Sequence, residues 1–135
     1  MDRKPGLLFV CQHNSRRSQM AEGFAKHWAG DRLRVYSAGL NPSSIDPLTI
    51  AAMAEVGIDL RSHTCDRLAD FDPADFRAVI SLCGCGVHLP DPWTHVEMFE
   101  DWQLADPAHQ PLVVYRAIRD QIQSRVQQIL PRVLA

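Results

Sequence analysis

A short apolar run, Leu7-Leu8-Phe9-Val10, ends abruptly at Cys11. A polar stretch follows, Gln12-His13-Asn14-Ser15-Arg16-Arg17-Ser18, and then Gln19-Met20-Ala21-Glu22-Gly23 opens a helical pattern. This order reads as a buried strand, an anion-binding loop and a helix. Successive backbone N–H groups in such a loop form a nest for a tetrahedral oxyanion. The helix starting near Ser18 aims its positive end at the same point. Arg17 can add a bidentate fork to two oxyanion oxygens. The same field favours the thiolate of a cysteine held inside it, so Cys11 is expected to be a ready nucleophile. Ser18 can donate its hydroxyl to that thiolate, and Asn14 can hold the loop's shape across its width. A buried core cysteine is the simpler reading of Cys11 alone, but a run of Asn, Ser, Arg, Arg and Ser does not suit an apolar core.

The chain has 135 residues, enough for one domain with a sizeable core. Hydrophobic residues make up 46% and charged residues 22%, which fits a soluble globular class. A formal charge of -2 offers no signal for nucleic-acid binding. No apolar run approaches membrane-spanning length, and Met1 to Gly6 lacks a signal peptide's apolar stretch, so a cytoplasmic location is expected. Four cysteines in that setting point to catalysis or metal binding rather than to structural disulfides.

The remaining pattern alternates strands and helices. Gly6 to Val10 is the first strand and about Ser18 to Ala29 the first helix, with Met20, Ala21, Phe24, Ala25 and Trp28 as its apolar face and Gly30 as its C-terminal cap. Leu33 to Ser37 is the second strand, followed by a turn over Ala38 to Pro42. Asp46 and Pro47 open the second helix as N-cap and first helical residue. Met53 and Val56 form its inner face, and Gly57 ends it. Arg67 to Ala69 reads as a helical turn. Phe76 to Leu82 is the third strand, Val96 to Phe99 the fourth, and Glu100 to Pro107 the loop after it. About Leu112 to Leu134 is the last helix, with Val114, Ile118, Ile122, Val126, Ile129 and Val133 on its buried face and Pro131 ending or bending it. The pattern predicts one doubly wound α/β domain over residues 1–135 with a parallel sheet and right-handed crossovers. Ligands in such sheets bind beyond the carboxyl ends of the strands. Cys11, Cys83 and Asp106 all follow strands and therefore share that edge.

Val10-Cys11 through Arg17-Ser18, continuing as Gln19-Met20-Ala21-Glu22-Gly23, resembles the active-site loop of the low-molecular-weight phosphotyrosine phosphatase superfamily. The continuation looks most like its arsenate reductase branch. The resemblance covers nearly the whole chain. It implies a single-domain, three-layer α/β fold with a four-stranded parallel sheet in the order 2-1-3-4. It implies that residues Gln12, His13, Asn14, Ser15, Arg16, Arg17 and Ser18 bind the oxyanion, and that Asp106, in Asp106-Pro107, is the general acid that protonates a leaving oxygen. From the residues alone, Asp106 is a turn cap before proline.

Cys83-Gly84-Cys85-Gly86 separates the possible functions. A phosphatase needs one thiolate, an acid and an arginine; a reductase needs two further electrons, which a thiol pair supplies by becoming a disulfide. A zinc clip of Cys83, Cys85, His88 and Cys65 lacks the usual two-residue gap. Cys65 itself has no reactive partner in sequence and reads as incidental. The phosphatase branch typically grips an aromatic ring with tyrosines after the Asp-Pro, where this chain has Ala108-His109-Gln110-Pro111. Cys83-Gly84-Cys85-Gly86, Phe99 to Leu104 and Gly23 to Lys26 look like the cyanobacterial-type arsenate reductases, which take electrons from glutathione and glutaredoxin. Arg16 stands where many relatives carry another loop cysteine.

The implied reaction is reduction of arsenate to arsenite through a Cys11 adduct and a Cys11/Cys83/Cys85 thiol–disulfide relay, with the order of Cys83 and Cys85 open. Phosphate and sulfate are expected competitors. No tightly bound cofactor is implied; the electron donor is glutathione with glutaredoxin, or thioredoxin. In some relatives a potassium ion steadies the loop, and Asn14, Glu22, Ser37 and Asp66 match its ligands; a plain hydrogen-bond network is the equal alternative. A tyrosine phosphatase and a non-enzymatic arsenite-binding thiol protein are the rival functions. The sequence leaves the oligomeric state open.

Overall fold

Residues 6–11 and 78–81 are continuously buried, and a strand buried on both faces must lie inside a parallel sheet. A computed structural model, which describes residues 4–84 and 89–135, shows that sheet. Its four strands are β1 (Gly6–Cys11), β2 (Arg34–Gly39), β3 (Ala78–Ser81) and β4 (Met98–Asp101), all parallel, in the order β2-β1-β3-β4. The four helices are α1 (Arg17–Ala29), α2 (Pro47–Ala54), α3 (Asp91–Thr94) and α4 (Leu112–Leu134), and short 3-10 turns span Gly30–Arg32, Leu68–Asp70 and Pro73–Asp75.

The two-residue period of β1 divides the core. Leu7 and Phe9 face α1, α2 and α4 and pack with Met20, Phe24, Met53, Ile122, Val126 and Ile129. Leu8 and Val10 face the opposite layer and pack with Leu68, Phe76, Val79, Leu89 and Trp93. Both faces of the sheet are therefore covered, and the carboxyl ends of its strands remain as the edge where loops gather. The 2-1-3-4 order puts β1 between β2 and β3, so Cys11 ends a strand that is paired on both sides.

Several boundaries differ from the sequence reading. β2 runs on to Gly39, because Cys11 and Gly39 are paired and the ladder continues as far as β1 does. β3 is confined to Ala78–Ser81. β4 begins at Met98 and takes in Glu100 and Asp101, since Ser81 needs Asp101 as its partner. α2 ends at Ala54, which leaves Val56 outside the inner face and 38% exposed. Its start is as read: the Asp46 carboxylate accepts the Leu48 N–H at 2.9 Å with Pro47 following. The bounds of α4, Leu112–Leu134, are as read, with Pro131 inside the helix three residues before its last residue. The Arg77 guanidinium donates to the carbonyls of Val133 (2.7 Å) and Ala135 (3.1 Å), groups at the helix end that otherwise have no partner in the helix. Tyr115, not read as part of the inner face of α4, is among its most deeply buried side chains.

Among the described residues, no helix is long and apolar enough to cross a membrane.

Candidate active site

The loop from Cys11 to Ser15 is held by its carbonyls. Those of Cys11, Gln12, His13 and Ser15 accept from the N–H groups of Leu40 (3.2 Å), Asn41 (2.8 Å), Ser43 (3.0 Å) and Asp46 (3.3 Å). The Asn14 carbonyl accepts from Gln19 Nε2 at 3.1 Å and from the Cys65 thiol at 3.1 Å. A peptide whose carbonyl is turned outward turns its N–H the other way. The segment 40–46 thus acts as an outer wall that points the loop's amides inward, at the start of α1. That is the construction of an anion nest.

Asn14 is the pivot. Its φ of 51° is left-handed, which asparagine tolerates better than most residues. Its side chain is fully buried, and its amide orientation is fixed by partners on both sides. Oδ1 accepts the Asp66 N–H at 2.9 Å, while Nδ2 donates to Ser18 Oγ and to Ser37 Oγ, both at 2.8 Å. Ser37 in turn donates to Glu22. Ser18 Oγ, having accepted from Asn14, has its proton free for Cys11 Sγ, 2.9 Å away. Cys11 is only 2% exposed, and its thiol is free.

Arg17, the first residue of α1, is itself buried. Its Nη1 donates to the carbonyls of Leu104 (2.9 Å) and Leu82 (3.3 Å), which fixes the plane of the guanidinium. Its buried Nε has no hydrogen-bond partner among the described residues. A buried donor left unpaired is costly, and here it lies at the start of α1, next to the loop. Asp106 Oδ2 is 3.7 Å from Arg17 Nη2, and Asp106 Oδ1 is 3.8 Å from Arg16 Nη1. Asp106 thus stands over the same loop as Cys11 and Arg17, as its place beyond β4 requires. Its Oδ1 also accepts the Ala108 N–H at 3.1 Å, the local bond of a turn cap.

The family model described as low molecular weight phosphotyrosine protein phosphatase matches residues 6–135. The chain belongs to this family. Among its relatives, the glutaredoxin arsenate reductase of Synechocystis sp. is 49% identical over 127 residues, covering 94% of this chain and 97% of that one. A solved arsenate reductase in its phosphate-binding state superposes with a TM-score of 0.90 at 48% identity, covering 96% of this chain and 98% of the other. One in an oxidised state superposes with a TM-score of 0.92 at 47% identity, covering 97% and 99%.

Within this low molecular weight phosphatase fold, several side chains depart from the sequence reading. Arg16 does not turn into the nest. Its Nε donates to Asp46 Oδ2 at 2.8 Å, on the outer wall. His13 likewise lies at the mouth, with Nδ1 3.0 Å from the Asn41 carbonyl. Ser15 Oγ accepts the Asp46 N–H at 3.1 Å. Cys65 is not incidental in position, since its thiol braces the Asn14 carbonyl. Burial pushes this thiol up, and the charges of Asp66 and Cys11 add to the shift, so it remains a protonated donor. Cys83, two residues past Ser81, which pairs with Val10, is disulfide-bonded. Cys85, Gly86 and His88 lie outside the described residues.

Asn14, Glu22, Ser37 and Asp66 do come together behind the loop. Their polar atoms are engaged with one another and with neighbours. Asn14 presents Nδ2, not its oxygen, to Ser37; Glu22 Oε2 lies 2.5 Å from Lys26 Nζ; Asp66 Oδ2 accepts from Thr64 Oγ1 at 2.9 Å. In this arrangement the four residues form a hydrogen-bond network behind the loop.

Gly39 and Gln19 were missed by the sequence reading. A Cβ at Gly39 would lie 2.9 Å from the Asn14 nitrogen and 3.0 Å from the His13 carbonyl carbon. The loop therefore depends on a glycine in the neighbouring strand, and the only sequence signal for it is Ala38-Gly39 at the strand's end.

Proposed function

We propose that this protein reduces arsenate to arsenite. Arsenate, shaped like phosphate, is held by the inward N–H groups of the loop and by the Nε edge of Arg17. The Cys11 thiolate attacks As(V), and the departing hydroxide leaves as water with a proton from Asp106. The Cys83 thiolate then attacks Cys11 Sγ. The S–As bond breaks with its electron pair going to arsenic, which leaves as As(III) in arsenite, and a Cys11–Cys83 disulfide remains. Cys85 attacks Cys83, Cys11 returns as a thiolate, and the oxidised pair is Cys83–Cys85. Two electrons from glutathione through glutaredoxin restore the thiols; thioredoxin is the alternative donor.

The observation that carries this reading is the state of the thiols at one edge of the sheet. Cys83 is in a disulfide while Cys11, on the adjacent strand, is free. A phosphatase has no use for a redox-active thiol there. The similarity to a glutaredoxin arsenate reductase supports the same choice of donor. A tight turn of Gly84, at φ 69°, follows Cys83 and gives the backbone there a freedom that a side chain would restrict.

The test is a single turnover of the fully reduced protein with arsenate and no added donor, counting free thiols and arsenite together. Two thiols lost per arsenite released is the expected result. No thiol loss, together with efficient aryl phosphate hydrolysis, would replace this reading with that of a phosphatase.

A further inference from the structure

Arg16, Asp46 and Tyr115 come from the loop, the N-cap of α2 and the first turns of α4, and they meet at one carboxylate oxygen. Asp46 Oδ2 accepts from Arg16 Nε at 2.8 Å and from the Tyr115 hydroxyl at 2.5 Å, while Oδ1 accepts the Leu48 N–H at 2.9 Å. Burial pushes the Asp46 carboxyl up, but the bonds from Tyr115, Leu48 and Arg16 outweigh burial and hold it below the usual carboxylate range. Tyr115 is 1% exposed. The Arg16 guanidinium is therefore anchored at Nε by two helices, and its Nη1 edge is presented to Asp106 Oδ1 at 3.8 Å.

Asp106 needs such support. It sits in the irregular segment between β4 and α4, and its side chain is 35% exposed. A side chain on a loop is poorly preorganised unless neighbours fix it. Arg17 also approaches Asp106, at 3.7 Å, but in the proposed reaction Arg17 turns its unpaired edge to the oxyanion. Arg16 has no such second duty, because Asp46 holds it off the nest. Both gaps to Asp106 are longer than a hydrogen bond; Oδ1 accepts the Ala108 N–H, and in the proposed reaction Oδ2 is the oxygen that delivers the proton.

We propose that Arg16, braced by Asp46 and Tyr115, is the positioning residue that holds the general acid Asp106 over the oxyanion loop. It acts on the reacting atoms through Asp106 and not as an oxyanion ligand. The cleft of about 460 Å³ bounded by His13, Arg16, Ser43, Asp106 and His109 is the mouth it shapes. The proposal rests on the reaction given above.

The test is a double-mutant cycle on the full chain, read in single turnover with arsenate. Arg16→Ala is expected to slow arsenite release about 10-fold, a fraction of the effect of a general acid, and Tyr115→Phe about 3-fold by loosening the same brace. Phosphate protection of Cys11 against alkylation is expected to stay within about 2-fold of wild type, since the nest is untouched. In an Asp106→Asn background both effects should vanish. A merely structural role would slow the Asp106→Asn protein as well, and additive losses would overturn the proposal; so would an unchanged rate in both single variants. Tyr115→Phe keeps the ring and removes only the hydroxyl, so it serves if Arg16→Ala does not fold. The same proteins are also run on aryl phosphates of rising leaving-group basicity, where the poorest leaving groups should suffer most. A wild-type protein that releases no arsenite would overturn the reductase reading, and the cycle on aryl phosphates would still decide the role of Arg16.

Discussion

Ser18 Oγ lies 2.9 Å from Cys11 Sγ, and the place of that hydroxyl is imposed from elsewhere. Ser18 Oγ already accepts from Asn14 Nδ2, and Asn14 cannot turn its amide over without losing the Asp66 N–H. The hydroxyl accepts from that amide, and its own proton is available to Cys11 Sγ. The nucleophile's partner is thus set by a backbone amide that Asn14 reaches across its own side chain.

Ser18→Ala should therefore slow the enzyme without unfolding it. A hydrogen bond to a charged group is worth about 1.5–3 kcal/mol, which corresponds to roughly 10-fold to 100-fold in rate. Both the single-turnover rate and the rate of Cys11 alkylation near neutral pH are expected to fall by that factor. An alkylation rate equal to wild type would show that Ser18 does not stabilise the thiolate.

Gly39→Ala tests the contact between strand and loop. The added Cβ would press on the Asn14 nitrogen and the His13 carbonyl carbon, both of them main-chain atoms with little freedom to give. Overpacking of this kind costs about 1–3 kcal/mol. Denaturant unfolding should show that loss, and phosphate protection of Cys11 should weaken along with it. A protein that lost stability but bound phosphate normally would show that the loop absorbs the strain without changing the nest.

Glu55 gives a pH signature away from the site. Bonds from Arg116, opposed by slight desolvation and joined by a bond from Arg119, bring its carboxyl from 4.5 down to about 2. A carboxyl lowered in the folded state stabilises fully above its unfolded value and loses that contribution as pH falls through its folded one. Wild type should thus lose stability between pH 4.5 and about 2 in excess of Glu55→Gln. The pair is exposed, so added salt should shrink the difference. Thermal unfolding of both proteins across that range at low and high salt is the measurement. Parallel curves would show that the Glu55 bridges to α4 do not contribute.

The parts of the fold carried by local signals were legible in the sequence. The apolar period of α4, the Asp46-Pro47 start of α2 and the strand ending in Cys11 are each written in consecutive residues. Strand ends were not, because β2 reaches Gly39 and β4 reaches Asp101 only where β1 and β3 supply partners. Val56 was misplaced for a similar reason: its spacing suited an inner face, but α2 stops at Ala54. In the site, Cys11 and Arg17 were singled out by residue type and by their place after a strand, whereas Asp106 was singled out only through the resemblance to the family, its residues alone reading as a turn cap. The brace of Arg16 could not be found this way, because Asp46 lies 30 residues away and Tyr115 lies 69 beyond Asp46. Nor could the role of Cys65, whose partner is a main-chain carbonyl 51 residues earlier. Backbone acceptors carry no sequence label.

The two carbonyls that hold Arg17 come from Leu82 and Leu104, one residue before Cys83 and two before Asp106. A single side chain thus sets the relative height of three segments that never neighbour one another in sequence. Variants of Arg17 consequently confound two losses. In the proposed reaction they delete a ligand for the anion, and they also let the segments that carry Cys83 and Asp106 drift independently. A dead Arg17 variant is poor proof of a missing charge. An added guanidinium compound that restored anion affinity but not turnover would separate the two losses, because a freely diffusing guanidinium is not tethered to α1 and so cannot restore the alignment of the two segments.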